Sequence, residues 1–469
     1  MACYRQLTHS RLFFVICLVG GAAMIRIGKI VSTLVVLFLT NFLVLSVWTA
    51  SGWLTCMAGY LILFFCFLVV NIVPLWGKGN FTRLGAMFGG EILMEIFAVS
   101  FTFNLILTIF YGVHLLFDTL SLLQFIIHIL LWLLFNGIVA LNAGIRMCTT
   151  SVQLGIKWRV LLLFFCWVPV INLFLLWKIC RIVKEEYLVE IEKQELNNVR
   201  KLNEDCKTKY PIVMVHGVFF RDRKYFNYWG RVPAELIRNG ATIYYGNQQS
   251  AASTQEAAKE LKEKILQIVE ETKCEKVNII AHSKGGLESR CAITCLGLAP
   301  YVASLTTINT PHRGCAFVDW LLKKMPKCVC DRIANGYNKT LRRFGDPNPD
   351  FYAAVCDLTS EQCAKFNQAT PDMSGVFYQS VGSKMKGWSS APFPQNFSYL
   401  LVKWFDKEND GLVGVNSMKW GNSFQMLCAS GHRGISHGDM IDLNRQNIKG
   451  FDVREFYVEL VKSLKGRGY

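Results

Sequence analysis

Lys276-Val-Asn-Ile-Ile-Ala-His-Ser-Lys-Gly-Gly286 reads as a strand that breaks on a serine. Val277 to Ala281 is a short apolar run of the kind buried in a sheet, and Leu287-Glu-Ser-Arg-Cys-Ala-Ile293 resumes at helical spacing. Ser283 stands between them, two residues from Ala281 and two from Gly285. Strand, tight turn with serine at its apex, then helix is the physical content of the nucleophile elbow, whose strained backbone lifts the hydroxyl clear of the sheet. Its neighbours must be small because the helix packs back close to the strand. A side chain larger than methyl at 281 or 285 is expected to collide with the opposite limb. Ala281 takes the place of the usual first glycine. An ordinary strand-to-helix turn has the same outline, so the surroundings decide.

Those surroundings alternate. Pro211-Ile-Val-Met-Val215 is a buried strand ended by His216-Gly217, and a polar aromatic loop, Phe219 to Trp229, follows. A helix from about Pro233 to Arg238 stops at Asn239-Gly240, and Ala241-Thr-Ile-Tyr-Tyr245 is the next strand. Thr254 to Thr272 is amphipathic, with Leu261, Ile265, Ile268 and Val269 on one side. After the elbow comes Val302-Ala-Ser-Leu-Thr-Thr-Ile308. Strands alternating with helices imply a mostly parallel sheet covered on both faces.

In this order, His216-Gly217, Tyr228-Trp229, Asn239-Gly-Ala-Thr-Ile-Tyr244, Val277 to Gly286, Asn309-Thr-Pro-His-Arg-Gly314 and Asn409-Asp-Gly-Leu-Val413 resemble the bacterial true lipases of the Pseudomonas and Burkholderia type. The resemblance runs over about residues 210 to 460 and implies an α/β-hydrolase fold. A serine hydroxyl is a poor nucleophile near neutral pH and needs a base oriented by a carboxylate, in this fold in the chain order Ser, Asp, His. The resemblance assigns Ser283 as nucleophile, Asp410 as acid and His437 as base. His432 and Asp406 are the rivals; Asp439, two residues past His437, and the Asp-Gly-Leu-Val context of Asp410 favour the first pair. The backbone N–H groups of Val218 and Lys284 take the oxyanion-hole positions. The Lys284 side chain is expected to adjust the charge near the site. Phe317 to Tyr352 falls where such lipases carry a lid, and reads equally as a plain cap. Family members often hold a structural calcium through the aspartate at the position of Asp439. No partner carboxylate is evident between Ser380 and Asp406, so neither cofactor nor metal is expected. Cys328-Val-Cys330, Cys356 and Cys363 lack paired zinc-ligand spacing.

The first 180 residues are of another kind. Between Ile30 and Ile145 the only formal charges are Lys78, Arg83, Glu91, Glu95 and Asp118, too few for a soluble domain. Ile30–Ala50, Thr55–Trp76, Met87–Gly112 and Leu120–Asn142 are long enough to span about 30 Å of hydrocarbon, and Val160–Trp177 is a shorter fifth run. Leu12–Ile25 reads as a first span, an interfacial helix or a signal-like core. The expected organisation is a transmembrane domain of five or six helices over 1–180, a charged helical linker over 181–208 and the hydrolase over 209–469. Arg26 and Lys29, Lys78 and Arg83, and Arg146, Lys157 and Arg159 fall in alternate connections, which puts those in the cytoplasm. Val160–Trp177 then carries the chain outward, so an outward-facing hydrolase is expected, anchored in a cell membrane that the resemblance suggests is bacterial. Glu91 and Glu95, one turn apart, are expected to reach Arg83 or water rather than to transport anything.

Of 17 cysteines, seven precede residue 181 as small apolar residues, and the rest fit disulfides and free thiols equally. The net charge of +16 lacks a focused basic stripe, which argues against nucleic acid and for anionic lipid headgroups as neighbours. The sequence thus points to a membrane-anchored lipase or carboxylesterase acting on lipid or other acyl esters. Acyl transfer, thioester hydrolysis and a non-catalytic membrane scaffold are its alternatives, and the oligomeric state is open.

Overall fold

The computed structural model describes residues 3–49, 52–72, 82–117, 120–166, 168–218, 227–343, 346 and 348–469, with side chains from residue 25 onward except at 169. Most of the loop expected at Phe219–Trp229, and Lys78, lie outside the described residues. The chain divides into two compact units, Met1–Glu195 and Leu196–Tyr469.

The first unit is helical: α1 (Cys3–Trp48), α2 (Trp53–Ile72), α3 (Arg83–Leu116), α4 (Leu122–Thr150), α5 (Gly155–Phe165) and α6 (Pro169–Arg200). Four helices, with windows in α1 to α4, are long and apolar enough to cross a membrane. A helix suits that medium because it satisfies its own backbone groups where no water can. Leu12–Ile25 lies on α1, continuous with the Ile30–Ala50 run, so no turn separates the two. Buried polar side chains tie the helices together: Asn41 Nδ2 and Thr40 Oγ1 donate to Asn104 Oδ1 at 2.7 and 3.1 Å, and Ser100 Oγ to Asn136 Oδ1 at 2.6 Å. Such bonds contribute about 0.6 kcal/mol each in lipid. Gly90 lets α3 meet α4, since a Cβ there would lie 2.9 Å from Arg146 Cβ. Glu91 and Glu95 do not turn to Arg83. Lys184 on α6 reaches them at 3.2 and 3.4 Å, and Lys29 pairs with Glu95.

Val160–Trp177 does not cross as one helix. Pro169 has no N–H to offer the preceding turn, so α5 stops at Phe165 and α6 begins with the proline in its first position. The two ends of the run meet: Lys178 Nζ lies 6.0 Å from the centre of the Trp158 ring, whereas a crossing would separate them by about 30 Å. Farther along α6, buried Glu186 accepts hydrogen bonds from Ser151 Oγ (2.6 Å) and from the N–H groups of Val152 and Gln153 (3.1 Å each), and pairs with Arg83 at 3.4 Å. Residue 186 is therefore level with the α4–α5 connection.

The second unit carries a six-stranded, wholly parallel sheet in the order β2-β1-β3-β4-β5-β6. Its strands are β1 (Ile212–Val215), β2 (Ile243–Tyr245), β3 (Val277–His282), β4 (Val302–Ile308), β5 (Phe377–Ser383) and β6 (Ser423–Leu427). The helices are α7 (Val232–Arg238), α8 (Thr254–Thr272), α9 (Gly285–Thr294), α10 (Ala316–Lys324), α11 (Lys327–Arg343), α12 (Phe351–Cys356), α13 (Ser360–Ala369), α14 (Gln395–Val402), α15 (Val415–Met418) and α16 (Val453–Gly466). Alternate strand residues feed opposite faces. Ile212, Met214 and Ile280 pack with Trp229 and Tyr457 on one side; Val213, Val215 and Ile279 pack with Leu261, Ile265 and Ile268 of α8 on the other. This is the α/β-hydrolase architecture expected from the alternating pattern.

Candidate active site

Three loops at the carboxyl ends of β3, β5 and β6 carry the sequence-predicted Ser283, Asp410 and His437, where open parallel sheets place their sites. Ser283 follows β3 with φ of +55°, a left-handed conformation that costs a non-glycine residue of order 1–3 kcal/mol. It is half-exposed between buried His282 and Lys284. Its N–H donates to Ile308 O at 2.9 Å, which ties the turn to β4. Close packing holds this conformation. A Cβ at 285 would sit 2.4 Å from His216 O, and one at 286 would sit 2.2 Å from Thr310 Oγ1. The conflict at 285 excludes even a methyl group, and it comes from the end of β1 rather than from the elbow's own strand.

Asp410 and His437, the proposed acid and base, lie together. His437 Nδ1 lies 2.6 Å from Asp410 Oδ2, and the His437 N–H donates to Asp410 O at 2.9 Å. The remaining acceptor positions of Asp410 are taken by Asn309 Nδ2 at 2.7 Å and the N–H groups of Leu412 and Val413 at 2.9 and 2.8 Å. The carboxylate is thus buried and held on both oxygens. The His437 ring lies 4.4 Å, centre to centre, from that of His282, the residue before the serine. His432 is exposed, and the Asp406 carboxyl lies under Gly414, within 2.6 Å of where a Cβ there would be. His437 Nδ1 meets the carboxylate of Asp410, the sequence's first choice over Asp406.

The turn His216-Gly217-Val218 abuts the serine: a Cβ on Gly217 would be 2.8 Å from Ser283 Cβ. Tyr228 fastens this turn to the elbow, since its hydroxyl accepts from Gly217 N–H at 3.0 Å and meets His282 Nδ1 at 2.7 Å. Burial, with the charge of nearby His437 adding, holds His282 well below the ordinary histidine pKa. His216 is a fastening too, its ring nitrogens near Gly217 O and Gln248 O.

The Lys284 side chain does not tune the site as expected. It turns inward to Glu288 Oε1 at 2.8 Å and Ala252 O at 2.9 Å, and Glu288 in turn accepts from Gln248 Nε2 at 2.8 Å.

Asp439 does not offer itself to a cation. Its Oδ1 receives Arg433 Nη2 at 2.6 Å and its Oδ2 receives the N–H and Oγ of Ser436 at 2.9 and 2.7 Å. A guanidinium fills the place a cation would take, so the donor set does not fit calcium. Among the described residues no cluster of His, Cys, Asp or Glu could hold a metal, and the fifteen cysteines with described side chains are free.

Within Phe317–Tyr352 lie α10 and α11. Phe317 and half-exposed Trp320 pack against Phe405 with ring centres 6.2 and 5.8 Å apart, Val318 packs on the cluster of Cys315, Val413 and Met418, and Asp319 anchors Ser360 N at 2.9 Å.

Two contributors were not singled out by the sequence. Asn309, with φ of +47°, donates to Asp410 and to Ser383 Oγ at 2.7 Å each; its signal was its place in Asn309-Thr-Pro-His-Arg. Tyr228 was visible only as part of Tyr228-Trp229.

A family model described as "Putative serine esterase (DUF676)" matches residues 208–334. A triacylglycerol lipase of Vibrio cholerae is 30% identical over 239 residues, which cover 46% of this chain and 75% of that protein. One of Burkholderia plantarii is 33% identical over 177 residues, 35% of this chain and 49% of that one. Among solved structures, Staphylococcus hyicus lipase aligns with 56% of this chain and 97% of its own at 18% identity and a TM-score of 0.44.

Proposed function

Because the chain belongs to the lipase-like serine hydrolases, the family of the Vibrio cholerae triacylglycerol lipase, we propose that this carboxylic ester hydrolase is a membrane-anchored enzyme cleaving lipid acyl esters through Ser283, His437 and Asp410. Ser283 Oγ attacks the ester carbonyl carbon while His437 Nε2 takes its proton. Asp410 holds Nδ1–H, which fixes the tautomer and balances the imidazolium. The carbonyl oxygen, negative in the tetrahedral intermediate, accepts from the backbone N–H groups of Val218 and Lys284. His437 returns its proton to the departing alcohol, leaving the acyl group on Ser283. Water, deprotonated by the same imidazole, then releases the fatty acid and restores the serine.

One observation carries this reading: a serine at positive φ on a strand-to-helix apex, next to a histidine whose ring packs on the base that Asp410 orients. A lipid substrate is supported by the setting, an esterase unit in the same chain as four helices apolar enough to cross a bilayer. The test is a fluorophosphonate probe on the full chain in detergent, with the adduct located by mass spectrometry, beside turnover of a p-nitrophenyl ester and a long-chain acylglycerol. The label is expected on Ser283, and Ser283→Ala is expected to lose turnover by about a million-fold. A label on another serine, or an active alanine variant, overturns the assignment.

A further inference from the structure

We propose that α5 and the first two turns of α6 form a re-entrant hairpin buried in one leaflet of the bilayer. The chain then leaves the membrane on the face that carries Arg83, Arg146 and Lys157.

The dimensions require a return rather than a crossing. α5 has 11 residues, about 16 Å of helix and about half the hydrocarbon thickness. The base of the hairpin is closed. Lys157 Nζ and Lys178 Nζ both lie over the Trp158 ring, at 5.5 and 6.0 Å from its centre, and Arg181 lies over Trp177 at 5.8 Å. Basic and indole groups at one level are what the headgroup region selects, the ammonium for lipid phosphate and the ring for the interface. The arms beyond that collar are apolar and uncovered: Leu163 is 73% exposed, Phe164 60%, Val170 79%, Leu173 71% and Phe174 56%. Water would penalise such a surface. Because both ends of the hairpin are basic and adjacent, its occupant is acyl chain, not a second protein surface.

The chain beyond the hairpin fixes the side. Glu186 is bound by the Ser151–Gln153 connection and Arg83, so residue 186 is at the membrane face where α4 ends and α3 begins. That face carries the basic connections, and charge bias makes it the cytoplasmic one.

Sealed vesicles of opposite orientation holding the full chain test both parts. A membrane-impermeant amine reagent is expected to modify Lys157 and Lys178 from the same face, together with exposed hydrolase lysines such as Lys259. Modification of Lys157 and Lys178 from opposite faces would overturn the hairpin. In the same vesicles a phospholipid with a photoreactive carbene source at its acyl-chain end is expected to label the peptides containing 163–164 and 170–174. Absence of that label, with Cys166 open to an impermeant maleimide, would show the hairpin outside the leaflet and also overturn the proposal. Neither readout depends on esterase activity, so failure here is distinct from failure of the proposed chemistry.

Discussion

Asn309 places its two amide hydrogens on Asp410 Oδ2 and Ser383 Oγ, both at 2.7 Å. It thereby fixes the carboxylate from the end of β4, while Leu412 and Val413 N–H fix the other oxygen. Removing one bond leaves the acid tethered but free to rotate away from Nδ1. Asn309→Leu is accordingly expected to lower kcat by about 10- to 100-fold with little change in KM, less than the roughly ten-thousand-fold loss expected for Asp410→Asn, which forces the wrong tautomer. His432→Ala, at an exposed position, is expected to stay within about threefold of wild type. Steady-state kinetics on the three variants checks the ranking; a loss in His432→Ala equal to that in Asp410→Asn would mean the base was misassigned. At this scale the motif context placed Asp410 and His437 within hydrogen-bond reach of each other and Ser283 on a strand-to-helix turn. It misled at Lys284, because a residue's neighbour in the chain says nothing of which way its side chain turns. Glu288 lies one helical turn on and captures it.

At the scale of elements, the loop that delivers His437 is held by an internal cation. Arg433 bridges Asp439 Oδ1, Ser390 O and Gln446 Oε1, linking the β6 loop to the segment after β5. The aspartate at the family's position is present, and a guanidinium six residues upstream takes the place of a partner carboxylate and cation. That pairing is invisible to spacing rules for metals. Two outcomes follow. Chelation by EDTA is expected to leave turnover and Tm unchanged. Arg433→Ala, which leaves buried Asp439 without its charge partner, is expected to cost on the order of 3 kcal/mol and to lower turnover with it. Thermal melts of the full chain with and without chelator, then with the variant, check both; a Tm that falls with EDTA and recovers with calcium would restore the metal. The α5–α6 break shows the opposite limit of reading. Hydropathy alone sees one apolar run from 160 to 177, and only Pro169 hints that the ladder must end inside it.

At the scale of the molecule, stability is coupled to pH through core histidines. His282 and His312 are fully buried, and burial holds both well below the ordinary value of 6.5, aided at His312 by Arg290. The unfolded chain takes up those protons near 6.5 and the folded one does not. Their contribution is therefore complete above about 6.5 and declines as the pH falls, by about 1.4 kcal/mol per unit for each imidazole. Denaturant melts between pH 7.5 and 5.5 are expected to show this fall, and His312→Gln to flatten it by one imidazole's share; an unaltered slope in the variant would sink the account. The order of long apolar helices followed by an α/β-hydrolase unit was legible from composition, whereas charge density marks solvent exposure rather than contact. The contacts divide at Glu195 and Leu196, inside the continuous helix α6, and not at residue 180 or 208. The last turn of that helix belongs to the hydrolase unit. Arg200 forks onto Glu455 at 2.9 and 2.5 Å, mostly buried, and Asn197 Nδ2 donates to Glu235 Oε1 at 2.6 Å. A fragment starting at Asp205 leaves Glu455 and the buried Glu235 without these donors. The 196–469 fragment is therefore expected to be more stable than 205–469 by about 2 kcal/mol, or some 4–8 °C in Tm for a unit of this size. Arg200→Ala in the longer fragment should remove most of that advantage. Equal melting of the two fragments would show that the turn contributes nothing and that the hydrolase core is complete without it.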